Sequence, residues 1–225
     1  MDTLRDRVNA HLRTNGIKLD HSLGQNFLVN EDVLETIVET ADISPEDHLV
    51  EIGPGIGILT QFLLEQAKHV TVIELDRRFE PILKKFVRHV EHAEQKLTFI
   101  QGNALAVALP TEPYKIVANI PYHITSPLLR HAFLESPVSP TSLTLLIQKE
   151  VAEKICDTKH AGLLTITVAL FGTPTVVTKV HKESFIPPPE VESAVLHIAC
   201  FPKPLADPKT IDAVLRLAKV GFGQK

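Results

Sequence analysis

His48-Leu49-Val50-Glu51-Ile52-Gly53-Pro54-Gly55-Ile56-Gly57 reads as a short strand that runs into a glycine-rich turn, with a helix beyond it through Leu59, Phe62 and Leu63. Glycines at such a turn let main chain approach a ligand closely at the amino end of the helix. A second strand, His69-Val70-Thr71-Val72-Ile73, ends in Glu74, roughly 20 residues after the first glycine. An acid there can accept hydrogen bonds from both hydroxyls of a ribose. Turn and acid together indicate a nucleoside cofactor. Dinucleotide enzymes use the longer G-x-G-x-x-G spacing over a pyrophosphate. Here the spacing is G-x-G-x-G with Pro54 inside it, which suits a ligand without phosphates, such as S-adenosylmethionine.

The strand-helix unit repeats outward from this point. Leu97 to Gln101 reads as a third strand with Gly102-Asn103-Ala104 at its tip. Asn103 is placed to meet an adenine edge, or is a plain turn residue, which asparagine also favours. A fourth strand covers Tyr114 to Ala118, and a fifth covers Ser142 to Ile147. Ser126-Pro127 is expected to open a helix as N-cap and first helical residue, and Val151 to Ile155 is another helix. The apolar run Leu163 to Phe171 is compatible with helix or strand. Val176-Val177 and Ala194 to Ile198 look like a late antiparallel pair. Upstream, residues 1–18 suit an amphipathic helix (Leu4, Val8, Leu12), and Asn30 is an N-cap for a stripe of Val33, Leu34, Ile37 and Val38. The alternation specifies a doubly wound, mostly parallel α/β sheet.

Two further stretches carry chemistry. Asn119-Ile120-Pro121-Tyr122 lies at the carboxyl end of the fourth strand, where open α/β sheets bind ligands. Pro121 fixes its own φ and restricts Ile120, so the turn is stiff. The Asn119 side chain and the Ile120 carbonyl offer acceptors, and Tyr122 a flat face, which suits a planar base with an exocyclic amine. An ordinary strand-to-helix turn with a buried tyrosine would look the same. Phe185-Ile186-Pro187-Pro188-Pro189 is a loop held extended by three prolines. It presents Phe185, or buries it as core. Leu23-Gly24-Gln25-Asn26-Phe27-Leu28 is a polar loop between apolar anchors, also readable as a capping loop with a hydrophobic staple.

Composition bounds the rest. The 225 residues are 44% hydrophobic and 22% charged, which is globular, and suit one full domain with a smaller appendage. No apolar run approaches the ~20 residues of a membrane span, and Met1 to Arg13 has no apolar core of a secretory signal. Cys156 and Cys200 read as reduced thiols of a cytoplasmic protein. The net charge of −4 counts against a large nucleic-acid surface. Lys84, Lys85 and Arg88 read as a solvated face, and no histidine stands at metal-ligand spacing from another His or Cys, so no metal is expected.

In combination, the Leu23–Leu28 loop, Glu51-Ile52-Gly53-Pro54-Gly55-Ile56-Gly57, Glu74-Leu75-Asp76, Gly102-Asn103-Ala104-Leu105, Asn119-Ile120-Pro121-Tyr122 and Phe185 to Val195 resemble the ribosomal RNA adenine dimethyltransferases of the KsgA type, in that family's order and across nearly the whole chain. The resemblance implies a Rossmann-like class I methyltransferase domain over residues 1–200, with an antiparallel late pair. It implies that 201–225 begin a C-terminal helical region of which only a truncated part is present. S-adenosylmethionine would be held by Asn26, Leu28, Gly53, Gly55, Glu74, Asn103 and Asn119. Asn119 and Ile120, stiffened by Pro121, would accept from the target adenine's amine, with Tyr122 and Phe185 on either side of its ring. The implied partner is 16S rRNA of the small ribosomal subunit, with two adjacent adenosines near its 3′ end as targets, and the implied state a cytoplasmic monomer.

The chain departs from the family pattern in three places. Asn103 stands where the family usually has Asp. Asp20 and His21 stand where lysine or arginine is usual, which weakens one RNA contact. The chain ends at Phe222-Gly223-Gln224-Lys225, where relatives continue with a basic run and further helices. Cofactor binding is expected to survive this, and affinity for naked RNA to be poor. Rival readings are a large-subunit methyltransferase of the macrolide-resistance type, which shares these motifs, and a family-derived assembly or transcription factor, against which the retained Asn119, Pro121, Tyr122 and Phe185 argue.

Overall fold

The computed structural model describes residues 3–17 and 24–222. Asp20, His21, Leu23 and the tail from Gly223 onward, on which expectations above rest, lie outside the described residues. The chain runs α1 (Leu4–Thr14), β1 (Phe27–Leu28), α2 (Glu31–Ala41), β2 (His48–Ile52), α3 (Ile58–Gln66), β3 (His69–Glu74), α4 (Phe79–Val87), α5 (Ala93–Lys96), β4 (Leu97–Gln101) and β5 (Lys115–Asn119). It continues with α6 (Thr125–Arg130), β6 (Ser142–Gln148), α7 (Lys149–Cys156), α8 (Leu163–Phe171), β7 (Gly172–Val180), β8 (Phe185–Ile186), β9 (Ser193–Cys200) and α9 (Pro208–Phe222).

Seven strands form one sheet in the order β4-β3-β2-β5-β6-β9-β7. Pairings from β4 through β6 are parallel, and β9 runs antiparallel to both β6 and β7. The central strands β2, β3, β5 and β6 are buried on both faces because helices cover both. Leu49, Val70, Val72, Val117 and Leu146 pack on one side against α1 to α4. Val50, Ile52, Ile73, Ile116, Ala118, Leu143 and Leu145 pack on the other against α6 to α9. The alternation follows from the two-residue period of a strand.

Local chemistry sets the boundaries. Asn30 caps α2, its side chain accepting from the Val33 N–H at 3.3 Å. Leu163–Phe171 is a helix, and its start is fixed by Thr165, whose Oγ1 accepts from the Gly162 N–H at 3.2 Å and donates to the Lys154 carbonyl at 2.9 Å. The expected cap at Ser126 is corrected. A 3₁₀ turn over Tyr122–Ile124 leads directly into α6 at Thr125, and Thr125 Oγ1 donates to the Tyr122 carbonyl at 3.0 Å. The stiff turn at Pro121 starts the helical path early, so Ser126 already lies inside the helix. No helix among the described residues is long and apolar enough to cross a membrane.

One pairing lies outside the main sheet. β1 and β8 form a two-residue antiparallel ladder, with Phe27 opposite Ile186 and Leu28 opposite Phe185. The Val29 N–H extends it to the Ser184 carbonyl at 2.8 Å. The amino-terminal loop is thereby stitched to the proline-rich loop.

Candidate active site

β3, β2 and β5 are adjacent and parallel, so their carboxyl ends open at the same rim. Glu74, Glu51 and Asn119 each follow by two residues a side chain on the α1–α4 face (Val72, Leu49 and Val117), and a two-residue step keeps the same face. The sheet therefore gathers two carboxylates and one amide into a single arc at the rim.

The glycine turn closes over this arc. Gly53, Gly55 and Gly57 all have positive φ, at +66°, +56° and +95°, where side-chain-bearing residues are strained. A Cβ on Gly55 would also come within 2.5 Å of Phe27 Cε1. Glu74 ties the turn down. Its Oε2 accepts from the Gly55 N–H at 3.1 Å and its Oε1 from the Asp76 N–H at 2.9 Å. Each oxygen keeps a second lone pair, so both can still meet a vicinal diol. Burial raises the Glu74 pKa, and these N–H groups oppose the rise.

Asn119 is oriented by a bond across the site, its Nδ2 donating to the Asn26 main-chain oxygen at 3.0 Å. A carbonyl can only accept, so the amide nitrogen must face it, and Oδ1 is turned the other way as an acceptor. Asn103 behaves differently. Its Oδ1 accepts from the Leu105 N–H at 3.0 Å, closing the turn after β4. One oxygen lone pair and the amide nitrogen are left for a ligand.

These residues surround one cleft. Asn26, Leu28, Gly53, Gly55, Glu74, Asn103 and Asn119 all line it, with Pro121 at its edge. The same wall includes Glu51, Leu75 and His123, to which the sequence reading assigns no individual role. Leu75 is 57% exposed beside Glu74, an apolar plate for a planar ring. A wider surface groove between α6, α8 and α9 holds none of the predicted site residues.

The ribosomal RNA adenine dimethylase family model matches residues 16–220. The chain belongs to the ribosomal RNA adenine dimethylase family. It is 40% identical over 215 residues to ribosomal RNA small subunit methyltransferase A of Alkaliphilus metalliredigens, covering 92% of this chain and 75% of that one. It is 38% identical over 223 residues to the protein of the same name from Streptococcus uberis, covering 96% and 77%. Among solved structures, a dimethyladenosine transferase from Plasmodium falciparum is similar with TM-score 0.73 and 30% identity, over 87% of this chain and 70% of that one. The 23S rRNA methyltransferase ErmE is similar with TM-score 0.75 and 28% identity, over 88% and 81%. The fold is that of the Rossmann-like methyltransferases, and the protein is an S-adenosylmethionine-dependent rRNA methyltransferase.

The dimethylase cleft fits that cofactor on its own chemistry. Its lining includes two carboxylates, Glu51 and Glu74, and, among the described residues, no lysine or arginine. Such a wall suits a ligand bearing a sulfonium and an ammonium, and is a poor place for phosphates.

The turn from Asn119 to Tyr122 and the Phe185 loop, expected to receive a base, differ from that expectation in one part. Ile120 lies one residue past the end of β5, with its side chain buried against the α6–α9 face. Tyr122 is half-buried, its hydroxyl 2.6 Å from Ser193 Oγ on β9, and burial raises its pKa. Phe185, expected to flank the adenine, is instead fully buried. It sits opposite Leu28 in the β1–β8 ladder and within the core beside α1 to α4. Neither ring is among the residues that line the cofactor cleft. The ladder hydrogen bonds and the apolar surroundings both draw Phe185 inward.

Among the described residues, His181, Glu183 and Glu192 bring ligand-type atoms within 4.8 Å of one another on the surface. His181 Nδ1 lies 3.2 Å from Glu192 Oε2, across the base of the proline-rich loop. Tertiary folding makes this cluster, and sequence spacing gave no sign of it.

Proposed function

We propose that this protein dimethylates the exocyclic amines of two adjacent adenosines near the 3′ end of 16S rRNA, in the small ribosomal subunit as it matures. The observation that carries the reading is the Asn119 amide, fixed by the Asn26 carbonyl so that its oxygen faces away as an acceptor at the rim of the cofactor cleft. The names of the two curated relatives reported above support the small subunit over the large.

S-adenosylmethionine supplies an electrophilic methyl group when bound. In this reading Asn26, Leu28, Gly53, Gly55, Glu74, Asn103 and Asn119 hold it, with the ribose at Glu74 and the adenine at Asn103 and Leu75. Asn119 Oδ1 and the Ile120 carbonyl accept from the target amine. An aromatic amine is a poor nucleophile because its lone pair is delocalised into the ring. Two acceptors favour a pyramidal nitrogen whose lone pair can be aimed, and they stabilise the positive charge that develops on it. No general base need act before transfer, since the product cation sheds its proton afterwards. Pro121 holds the acceptors still, and Tyr122 offers a stacking face worth ~1–3 kcal/mol per base. Phe185 joins as a second plate if the β1–β8 ladder opens when RNA binds.

We place the enzyme in the cytoplasm as a monomer, with residues 201–225 opening a C-terminal helical region. The test is to incubate the protein with labelled cofactor and undermethylated small subunits, and to map the adenines that gain methyl groups. Two adjacent dimethyladenosines near the 3′ end are expected. Transfer to large-subunit RNA alone would replace this reading with the rival one.

A further inference from the structure

Glu51 is a buried acid in the cleft wall, counted above with Glu74 in the acidic lining but given no individual role. It is 2% exposed, and its Oε2 accepts from Thr60 Oγ1 on α3 at 2.6 Å. The titratable groups that share its cleft are Glu74 from β3 and His123 from the turn after β5. From α3, packed directly over it, come Thr60 and Gln61, which carry no charge. Among the described residues, a carboxylate so placed has one hydrogen-bond donor, a like-charged neighbour and no lysine or arginine in the cleft wall. Ionising it in an empty cleft is therefore costly. A ligand bearing positive charge would reverse that cost, because the low-dielectric wall strengthens attraction as much as repulsion.

We propose that Glu51 is the group through which the cleft reads the charge of its cofactor: a neutral acid before binding, a carboxylate after it, so that each binding event expels one proton to solvent. The O–H bond of Glu51 breaks, its electron pair stays on the carboxylate, and no other bond changes. The raised Glu51 pKa, about 8 through burial and the nearby Glu74, agrees with this geometry. Two consequences follow. Affinity for a cationic cofactor rises with pH through neutrality and levels off above the Glu51 pKa. An uncharged nucleoside of the same shape shows no such rise. The inference rests on S-adenosylmethionine being the ligand of this cleft.

Calorimetric titration of the intact chain with S-adenosylmethionine near pH 7, in buffers of differing ionisation enthalpy, counts the protons directly. About one proton released per site is expected, falling towards none near pH 9. Methylthioadenosine, an uncharged thioether, should release none. Release with S-adenosylhomocysteine as well would assign the charge read to the ammonium, and release with the methyl donor alone to the sulfonium. Either result supports the role of Glu51. Glu51→Gln should abolish the release and weaken cofactor binding roughly tenfold. Thr60→Val keeps the carboxylate but removes its donor, and should move the midpoint of the pH dependence upward. Tight binding with heats independent of buffer, or release that persists in Glu51→Gln, overturns this inference and leaves the cofactor assignment standing. No binding at any pH overturns both.

Discussion

Asn119 and Asn26 are joined by one hydrogen bond, from the side-chain nitrogen of the first to the main-chain oxygen of the second, at 3.0 Å across 93 positions of chain. It makes the rim of β5 and the amino-terminal loop a single unit. Asn119→Asp removes the donor and sets a carboxylate against a carbonyl. A cost on the order of 2 kcal/mol is expected, or roughly thirtyfold in single-turnover methyl transfer. An unchanged rate would show that the amide orientation does not matter to the chemistry.

Asn103 spends its Oδ1 on the Leu105 N–H. An aspartate there could keep that bond with one oxygen and offer the other, charged, to the adenine amine. Asn103→Asp is therefore expected to tighten cofactor binding by about 1 kcal/mol, or roughly fivefold. Calorimetry that finds weaker binding would refute this placement of the adenine.

Phe185 and Tyr122 should separate on stability. Phe185 is fully buried, so Phe185→Ala is expected to cost about 3–5 kcal/mol in a denaturant titration. Tyr122→Phe loses only the bond to Ser193 Oγ and should cost about 1 kcal/mol. If Phe185→Ala left the midpoint of unfolding unmoved, the ring would not be the core residue described above.

Glu51 ties stability to pH. Its folded pKa of about 8 lies above the ordinary glutamate range. Below that range both folded and unfolded chains hold the proton and the group contributes nothing. Between it and the folded pKa the unfolded chain gives up its proton first, so stability falls as pH rises; above the folded pKa the loss is complete. In ligand-free protein, Glu51→Gln should thus raise the melting temperature by several degrees near pH 8 and by little near pH 5. A gain of equal size at both would mean that charge burial is not the cause.

The proline-rich loop was legible as extended, but not its partner. Val29 and Ser184 meet through main-chain atoms, and main-chain pairing leaves no side-chain signature. The late strand β7 was read from Val176-Val177 alone, yet it spans Gly172–Val180. Its burial alternates along most of its length, so only the short apolar peak stood out. The Ser126 cap failed because a local rule was applied to a chain already turned by Pro121. Glu51 opens the glycine motif in the sequence, but nothing in a linear pattern says that its carboxyl faces a cleft.

Local physics on the linear chain was enough for the alternation of strands and helices, the glycine turn, and the carboxylate of Glu74 and amide of Asn119 at the ends of their strands, because these depend on spacing within a few residues and on side-chain chemistry. Tertiary packing alone chose the β1–β8 ladder, the inward turn of Phe185, the bond that aims Asn119 and the shared wall of Glu51 and Glu74. Each joins atoms far apart in sequence, and their energies come from burial and mutual geometry that exist only once the layers have closed.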